Sequence, residues 1–113
     1  MLRFLVVPVL VLISVQNDCR DEGIPLCIQQ MIEDFSQQPP RHPPYTIYSY
    51  TYQGRTVYYV QPPCCDQLSK LYDADCNLIC SPDGGITGRG DGRCPDFQSS
   101  RTNEKLIWVQ PVH

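Results

Sequence analysis

The chain opens with a short apolar run that ends abruptly. Residues 4–14 (FLVVPVLVLIS) are almost wholly apolar, Arg3 precedes them, and polar residues begin at Gln16. A bilayer-spanning helix needs about 20 apolar residues, whereas this run has the length and the flank of the apolar region of a signal peptide. We therefore predict that residues 1–16 are a signal peptide and that residues 17–113 form a single small domain. A buried N-terminal helix or strand is the alternative.

The next segment has the period of an amphipathic helix. Its apolar residues recur at spacings of three and four, with polar residues on the opposite face. Pro25 is tolerated in a first turn, and Pro39 and Pro40 end the helix. The predicted apolar face consists of Ile24, Cys27, Ile28, Met31, Ile32 and Phe35. We interpret this segment as a packing helix that Cys27 attaches to the rest of the domain.

Residues 45–61 have the alternation of a β-hairpin. Six of the seven tyrosines lie between Tyr45 and Tyr59, and a turn is predicted at residues 53–55. Alternation places Tyr48, Tyr50 and Tyr52 on one face of the first strand. If these side chains are exposed, they would form, together with Tyr58 and Arg89, a surface that binds a peptide or stacks on sugars. The other interpretation is that the rings cover the helix and form cross-strand pairs.

The remaining segments are short. Residues 39–44 (PPRHPP) form a stiff connector, or alternatively a docking peptide for an aromatic groove. Residues 66–72 predict a short helix, and SSRTNE before the last strand predicts a polar connector. Strands are predicted at residues 78–80 and 105–110. The fold class is therefore α+β: an N-terminal helix packed on a small antiparallel sheet made of the tyrosine-rich hairpin and two short strands, disulfide-stapled, with a long glycine-rich loop.

Cysteine usage indicates an oxidising compartment. The seven cysteines are Cys19, Cys27, Cys64, Cys65, Cys76, Cys80 and Cys94. Without Cys19, six remain for three bridges, and the sequence leaves the pairing open among about 15 connectivities. A zinc site built from the same sulfurs and thiol redox chemistry at the adjacent Cys64 and Cys65 are the alternatives.

Cys19 lies where a lipid-modified cysteine would follow the apolar run. The residues before it, Gln16, Asn17 and Asp18, are not the small and apolar ones of a bacterial lipobox. We expect an exported protein, secreted or periplasmic, whose contact with a membrane would be through a lipid on Cys19.

Charge and histidine content argue against two classes of function, nucleic-acid binding and catalysis. The net charge is −3 over the whole chain, and without residues 1–16 it is 8 − 12 = −4, with the arginines scattered. Nucleic-acid binding requires a basic patch, so it is disfavoured. The two histidines, His42 in the connector and His113 at the terminus, are poorly placed as catalytic bases. We therefore predict no enzymatic activity.

Residues 81–97 form a loop with five of the seven glycines and three aspartates, Asp83, Asp91 and Asp96. The aspartates are candidate calcium ligands, although the repeated motifs of known calcium loops are absent. A chain of turns that uses positive φ is the simpler interpretation. The tripeptide Arg89-Gly90-Asp91 matches an adhesion signal, but a three-residue match is weak.

A longer pattern resembles a known family. It runs from the tyrosine-rich hairpin through PCCD, LYD, IC, PDGG, TGRGDG and CPDF, at residues 63–66, 71–73, 79–80, 82–85, 87–92 and 94–97. The chain resembles small exported bacterial domains of unknown function, often lipoproteins of Bacteroidetes-type bacteria. The resemblance implies export and one fold over most of the chain but no activity, and it makes Asp91 part of a Gly-Asp-Gly turn. The missing lipobox before Cys19 departs from the pattern.

These observations favour a non-enzymatic binding or structural domain with no cofactor. Its partner would be a protein or a glycan in the envelope or outside the cell. A metal-dependent module, with calcium on the three aspartates or zinc on cysteines, is the alternative from a different class.

Overall fold

The computed structural model describes residues 23–63 and 66–111. The elements are helices α1 (Leu26–Ser36) and α2 (Phe97–Ser100) and strands β1 (Thr46–Tyr52), β2 (Arg55–Gln61), β3 (Lys70–Tyr72), β4 (Leu78–Cys80) and β5 (Thr102–Val109). The strands form one sheet in the order β4-β3-β2-β1-β5, and each neighbouring pair is antiparallel. The predicted α+β class is confirmed. The predicted signal peptide, Cys19, Cys64, Cys65 and His113 lie outside the described residues.

Helix α1 covers one face of the sheet. It begins after Pro25 and ends before the connector prolines, as the sequence predicts. The ring of Phe35 stacks on Tyr45 with 4.2 Å between centroids and lies 6.3 Å from the ring of Trp108. Trp108 pairs with Ile47 across β5 and β1. Since side chains alternate along a strand, this is the face of Ile47 rather than that of the even-numbered tyrosines.

The hairpin of β1 and β2 turns at two residues of positive φ. Gln53 has φ 54° and Gly54 has φ 77°, which matches the turn whose twist suits a two-residue hairpin. The register pairs Ile47 with Val60 and Tyr52 with Arg55. The turn therefore fixes which side chains face α1 and which face away from it.

The opposite face of the sheet carries the larger core. Its buried cluster consists of Tyr50, Tyr52, Val57, Tyr59, Leu71, Cys80, Cys94 and Phe97. Phe97, at the start of α2, meets Tyr50 and Tyr52 edge-on, with centroids 5.5 and 5.2 Å apart. The rings of Tyr50, Tyr52 and Tyr59 thus pack on α2 and the loop before it, whereas Tyr45 stacks on Phe35 of α1, as the packing interpretation expected.

Two local predictions were wrong. Residues 66–72 do not form a helix, because Leu71 pairs with Tyr59 and Tyr72 with Tyr58 to build β3. Burying Leu71 on the sheet outweighs the weak local preference of this segment for a helix. The segment SSRTNE is not a plain connector either, because α2 ends in it and β5 begins at Thr102. Its residues are polar because that part of β5 is exposed.

Two disulfides attach α1 and the glycine-rich loop to β4 or to the turn before it, at one edge of the sheet. Cys27 of α1 pairs with Cys76, in the turn before β4, and Cys80 of β4 pairs with Cys94 of the glycine-rich loop. Their sequence separations of 49 and 14 residues correspond to loop-closure contributions of about 4 and about 3 kcal/mol. Four of the six predicted disulfide cysteines are therefore paired.

Candidate functional site

Two tyrosine hydroxyls on the larger core face donate to loop carboxylates. Tyr52 donates to Asp96 at 2.7 Å, and Tyr59 donates to both oxygens of Asp83 at 2.9 and 2.7 Å. The side-chain amide of Gln98 adds a second donor to Asp83 at 2.7 Å. Because a buried hydroxyl must be hydrogen-bonded, these carboxylates are part of the fold.

The same pairs shift the pKa values of their members. Burial and the bond to Asp96 raise the pKa of Tyr52 to about 12. Burial and the bond to Glu104, at 3.0 Å, raise the pKa of Tyr50 to about 12 as well. The Tyr52 hydroxyl in turn holds the pKa of Asp96 below its usual range. The neutral tyrosine and the ionised carboxylate therefore stabilise each other.

Arg101 closes the aromatic cluster from outside. Its guanidinium carbon lies 4.4 Å from the ring centroid of Tyr50, 5.1 Å from Phe97 and 5.9 Å from Tyr59. A cation over aromatic faces at these distances is attracted by the rings. Arg101 therefore occupies the position over these rings at which a cationic ligand would bind.

The predicted tyrosine surface is largely internal. Tyr50, Tyr52 and Tyr58 are 4%, 2% and 3% exposed, and the Tyr58 hydroxyl donates to the carbonyl of Gly23 at 3.1 Å. Of the four tyrosines proposed as a contact surface, only Tyr48 is partly exposed. The rings are buried because α2, the glycine-rich loop and the segment before α1 cover both faces of the hairpin.

The adhesion tripeptide is tied into its loop. Oxygens of the Asp91 carboxylate accept the backbone N–H groups of Ser81 and Arg93, each at 3.0 Å. Burial opposes ionisation, but these two N–H donors outweigh it and lower the pKa of Asp91. Gly90 has φ 70°, and a β-carbon on it would overlap the carbonyl oxygen of Ser81. Arg89 is exposed, but the hydrogen bonds to Ser81 and Arg93 hold the Asp91 carboxylate against its own loop.

The three candidate calcium ligands have separate partners. Asp83 accepts from Tyr59 and Gln98, and Asp96 accepts from Tyr52 and from Ser100, the latter at 3.3 Å. A cation would compete with these donors for the same oxygens. Within the described residues, no group of three or more histidine, cysteine, aspartate or glutamate side chains is placed to hold a metal ion.

A groove of about 790 Å³ lies between the connector and the start of the glycine-rich loop. We call it the proline groove, because six prolines line it: Pro39, Pro40, Pro43, Pro44, Pro62 and Pro63. Its polar lining is Arg41, His42, Thr46, Gln61, Gln67, Ser69 and Asp83. Among the described residues, no phenylalanine, tyrosine or tryptophan lines it, so these residues provide no large ring for sugars to stack on. Sequence patterns could not predict this groove, because three distant segments of the chain assemble it.

A second groove of about 660 Å³ lies beside it, between α1 and the sheet. We call it the aromatic groove. Its lining is Met31, Phe35, Tyr45, Val60, Pro62, Asp66, Gln67, Leu68, Lys70 and Tyr72. Apolar and aromatic side chains predominate, and the polar residues come from the segment before β3 and from Lys70 at its start.

The connector, which lines the proline groove, is held at its base. Gln110 is 2% exposed, and its amide nitrogen donates to the carbonyls of Gln38 and Pro39, each at 3.2 Å. Gln110 and Tyr45 also share a backbone bond of 2.9 Å. Residues 39–43 are exposed beyond this clamp, and the peptide bond before Pro43 is cis.

A family model for a domain of unknown function (DUF6970) matches residues 33–110. The chain belongs to this family. The match covers the connector, the whole sheet, the glycine-rich loop, the lining of the proline groove and, except for Met31, the lining of the aromatic groove. These are therefore parts of one family domain. No curated protein and no solved structure matches the chain significantly.

Two further findings concern the compartment. Disulfides form and persist in oxidising surroundings, so the two bridges indicate that the domain folds outside the cytoplasm. Among the helices of the described residues, none is long and apolar enough to cross a membrane.

Proposed function

We propose that this member of the DUF6970 family is an exported binding domain, and that its proline groove holds an extended segment of another protein in the envelope or outside the cell. The observation behind the proposal is the groove itself: stiff proline walls with side-chain amides from Gln61 and Gln67. Proline fixes φ, so the walls lose little freedom when a ligand binds.

The chemistry of the lining favours a polypeptide over a glycan. Side-chain amides carry both a donor and an acceptor, as does each peptide group of an extended strand. The proline rings supply apolar area without the aromatic faces that sugars prefer. Arg41 adds a cationic donor, and His42 adds ring nitrogens, for an acidic residue or a carbonyl of the ligand. A glycan is the competing class of partner, and the glycan array described below distinguishes it from a polypeptide.

Phage display tests this proposal. The oxidised protein is immobilised and used to select binders from random 12-residue peptides displayed on phage. A consensus peptide, synthesised, would be titrated by calorimetry into the wild type and a Gln61→Ala, Gln67→Ala double variant. Loss of two hydrogen bonds of about 1 kcal/mol each would weaken binding by roughly tenfold or more. Gln30→Ala, on the exposed face of α1, is the matched control and should bind as the wild type does.

Failure of panning, or a peptide whose affinity ignores both glutamines, would contradict the proposal. Binding to a glycan array that the double variant abolishes would assign the groove to sugars instead.

The proposal includes export through residues 4–14, followed by removal of the leader, in a bacterium with an oxidising envelope. A lipid on Cys19 would anchor the domain, and without it the domain would be released. Intact mass of the exported chain distinguishes these two forms, because an acylated cysteine adds the mass of its fatty chains. A chain that stays reduced in the cytoplasm with residues 1–16 attached would contradict export.

A further inference from the structure

The two disulfides differ in exposure. Cys80 and Cys94 are 0% and 5% exposed and belong to the larger core, and we call their bond the core bridge. Cys27 and Cys76 are both only half-buried, and we call their bond the helix bridge. A reductant must reach a sulfur atom in order to attack it, and exposed bridges are the ones that are reduced most readily. Reduction should therefore begin at the helix bridge.

The turn that carries Cys76 is held together by its own hydrogen bonds. The carboxylate of Asp73 accepts the backbone N–H groups of Asp75 and Asn77, each at 2.9 Å. The backbone N–H of Cys76 donates to the carbonyl of Asp73 at 3.0 Å. Because none of these bonds involves the sulfur atom, the turn keeps its shape when the helix bridge opens. The segment that the opening can release is therefore α1.

Helix α1 has little of its own to stabilise its first two turns. Its N-cap residue is Pro25, which makes no side-chain cap hydrogen bond, and its first turn contains no acidic residue. Such caps and charges are the usual local support of a helix start. The helix has 11 residues, a length that is marginal in water on its own. The first two turns therefore depend on tertiary contacts.

These tertiary contacts are grouped around the helix bridge. Ile28, next to Cys27, is the buried residue of α1, whereas Leu26 on its other side is 79% exposed. Just before the helix, the carbonyl of Gly23 accepts the Tyr58 hydroxyl at 3.1 Å. The helix bridge is the covalent contact among them, so its loss leaves an uncapped helix start on one buried side chain and one hydrogen bond.

The other end of α1 is attached separately. Phe35 stacks on Tyr45, and the Gln110 side chain donates to the carbonyl of Gln38, just after the helix, at 3.2 Å. Among the described residues, the larger core contains none from α1. Opening the helix bridge should therefore free the first two turns and leave the end of the helix, the sheet and the core bridge in place.

We propose that the helix bridge is a redox-sensitive latch on α1, opened by a dithiol protein of the class that exchanges disulfides. A thiolate of the reductant bonds to one sulfur of the bridge as the S–S bond breaks. The second thiolate of the reductant then attacks the sulfur of the first and releases the remaining cysteine. Two electrons and two protons pass to Cys27 and Cys76, and the reductant ends as a disulfide.

The latch acts on one groove and not on the other. Met31, in the freed part of α1, lines the aromatic groove, so opening the latch removes part of that groove's wall. The described lining of the proline groove contains no residue of α1. The proposed peptide site should therefore be the same in both redox states, and the latch is independent of it.

Stepwise reduction tests the selectivity of the latch. Free thiols of the oxidised protein are blocked with N-ethylmaleimide, and limiting dithiothreitol serves as the dithiol. Samples are quenched with iodoacetamide at intervals, and peptide masses identify the alkylated cysteines. We expect Cys27 and Cys76 to be alkylated at least about tenfold faster than Cys80 and Cys94. Equal rates, or earlier opening of the core bridge, would overturn the proposal.

Hydrogen exchange tests the release of the helix. In a Cys27→Ser, Cys76→Ser variant, the backbone amides of residues 28–32 should exchange at least about tenfold faster than in the oxidised wild type. The amides of β1 and β2 should be unchanged. Leu26→Ser is the matched control, because it places a serine in the same turn and keeps the bridge. Wild type whose helix bridge has been reduced and alkylated gives the same readout without a substitution.

Slow exchange of residues 28–32 in both open forms would overturn the latch, since packing of Ile28 would then suffice to hold the helix. Fast exchange throughout the sheet would also overturn it, because the helix bridge would then support the whole fold. Neither result bears on the proline groove, because peptide selection with the Gln61→Ala, Gln67→Ala variant is scored separately.

Discussion

The hydroxyl of Tyr52 donates to the carboxylate of Asp96 at 2.7 Å, across 44 residues of sequence. Asp96 immediately precedes Phe97, whose ring meets Tyr52 and Tyr50 edge-on. One hydrogen bond therefore places the residue that completes the core on this face of the sheet. The sheet and its glycine-rich cover are joined by a polar contact at the edge of an aromatic cluster.

Tyr52→Phe should lower the melting temperature at neutral pH by a few degrees. The variant removes the largest influence on the pKa of Asp96, which the fold holds low. A carboxyl group with a lowered folded pKa stabilises the protein above its unfolded value of about 3.9, and the effect disappears as the pH falls through the folded value. The difference in melting temperature between variant and wild type should therefore shrink in acid.

Tyr48→Phe is the control for that experiment, because the Tyr48 hydroxyl makes no hydrogen bond to the residues that the structure describes. A difference between wild type and Tyr52→Phe that stays constant from pH 7 to strong acid would exclude the bond to Asp96 as its cause.

Alkaline unfolding should follow the buried tyrosines. Tyr50 and Tyr52 both have a pKa raised to about 12 in the fold, against an ordinary value of about 10. A group with a raised folded pKa stabilises the protein below its unfolded value, and this contribution is lost as the pH rises towards the folded value. Stability should thus fall between pH 10 and about 12. Absorbance of tyrosinate at 295 nm, followed with circular dichroism, checks it: complete ionisation near pH 10 in a folded chain would refute it.

Gly90→Ala should destabilise the protein more than Gly92→Ala. Both glycines have positive φ, 70° and 77°, so each alanine costs about 1–2 kcal/mol of backbone strain. Only at Gly90 would the added methyl group overlap backbone, at Ser81, Pro82 and Asp83; around Gly92 nothing lies within 4 Å. Chemical denaturation should show an extra loss of about 1–3 kcal/mol for Gly90→Ala. Equal losses would mean that the loop does not press on residues 81–83.

Removal of the disulfide that closes the shorter loop, Cys80–Cys94, should destabilise the protein more than removal of Cys27–Cys76. Closure entropy alone gives about 4 kcal/mol for Cys27–Cys76 and about 3 kcal/mol for Cys80–Cys94. However, Cys80 and Cys94 are buried in the larger core, and serine hydroxyls there add a penalty of about 1–3 kcal/mol each. We expect the Cys80→Ser, Cys94→Ser pair to be the less stable in urea. The reverse order would show that chain entropy decides.

Chelation should leave stability unchanged. Asp83, Asp91 and Asp96 each accept hydrogen bonds from their own partners, so no ion is needed to balance them. Thermal melts with and without excess EDTA, and with added calcium, measure this directly. A melting temperature that falls with EDTA and is restored by calcium would revive the metal-dependent alternative.

The sequence predicted the elements whose signals are local. Alternation of tyrosines and a Gln53-Gly54 turn specify the hairpin, and apolar spacing from Ile28 to Phe35 specifies α1. Strand β3 was mistaken for a helix, since its three residues form a strand only by pairing with β2. The bond from Tyr59 to Asp83 and both grooves depend likewise on contacts between distant segments. From the sequence alone, Asp83 in its glycine-rich loop is a candidate metal ligand, whereas the structure shows that its carboxylate accepts hydrogen bonds from Tyr59.

The two bridges also decide what a protease can do to this domain. Arg41 and Arg89 are exposed, and a trypsin-like enzyme would cut after such residues. Arg41 lies between Cys27 and Cys76, and Arg89 lies between Cys80 and Cys94. A cut at either place leaves the fragments covalently joined. The domain would therefore survive nicking at these two arginines as one particle, and the damage would become visible only after reduction.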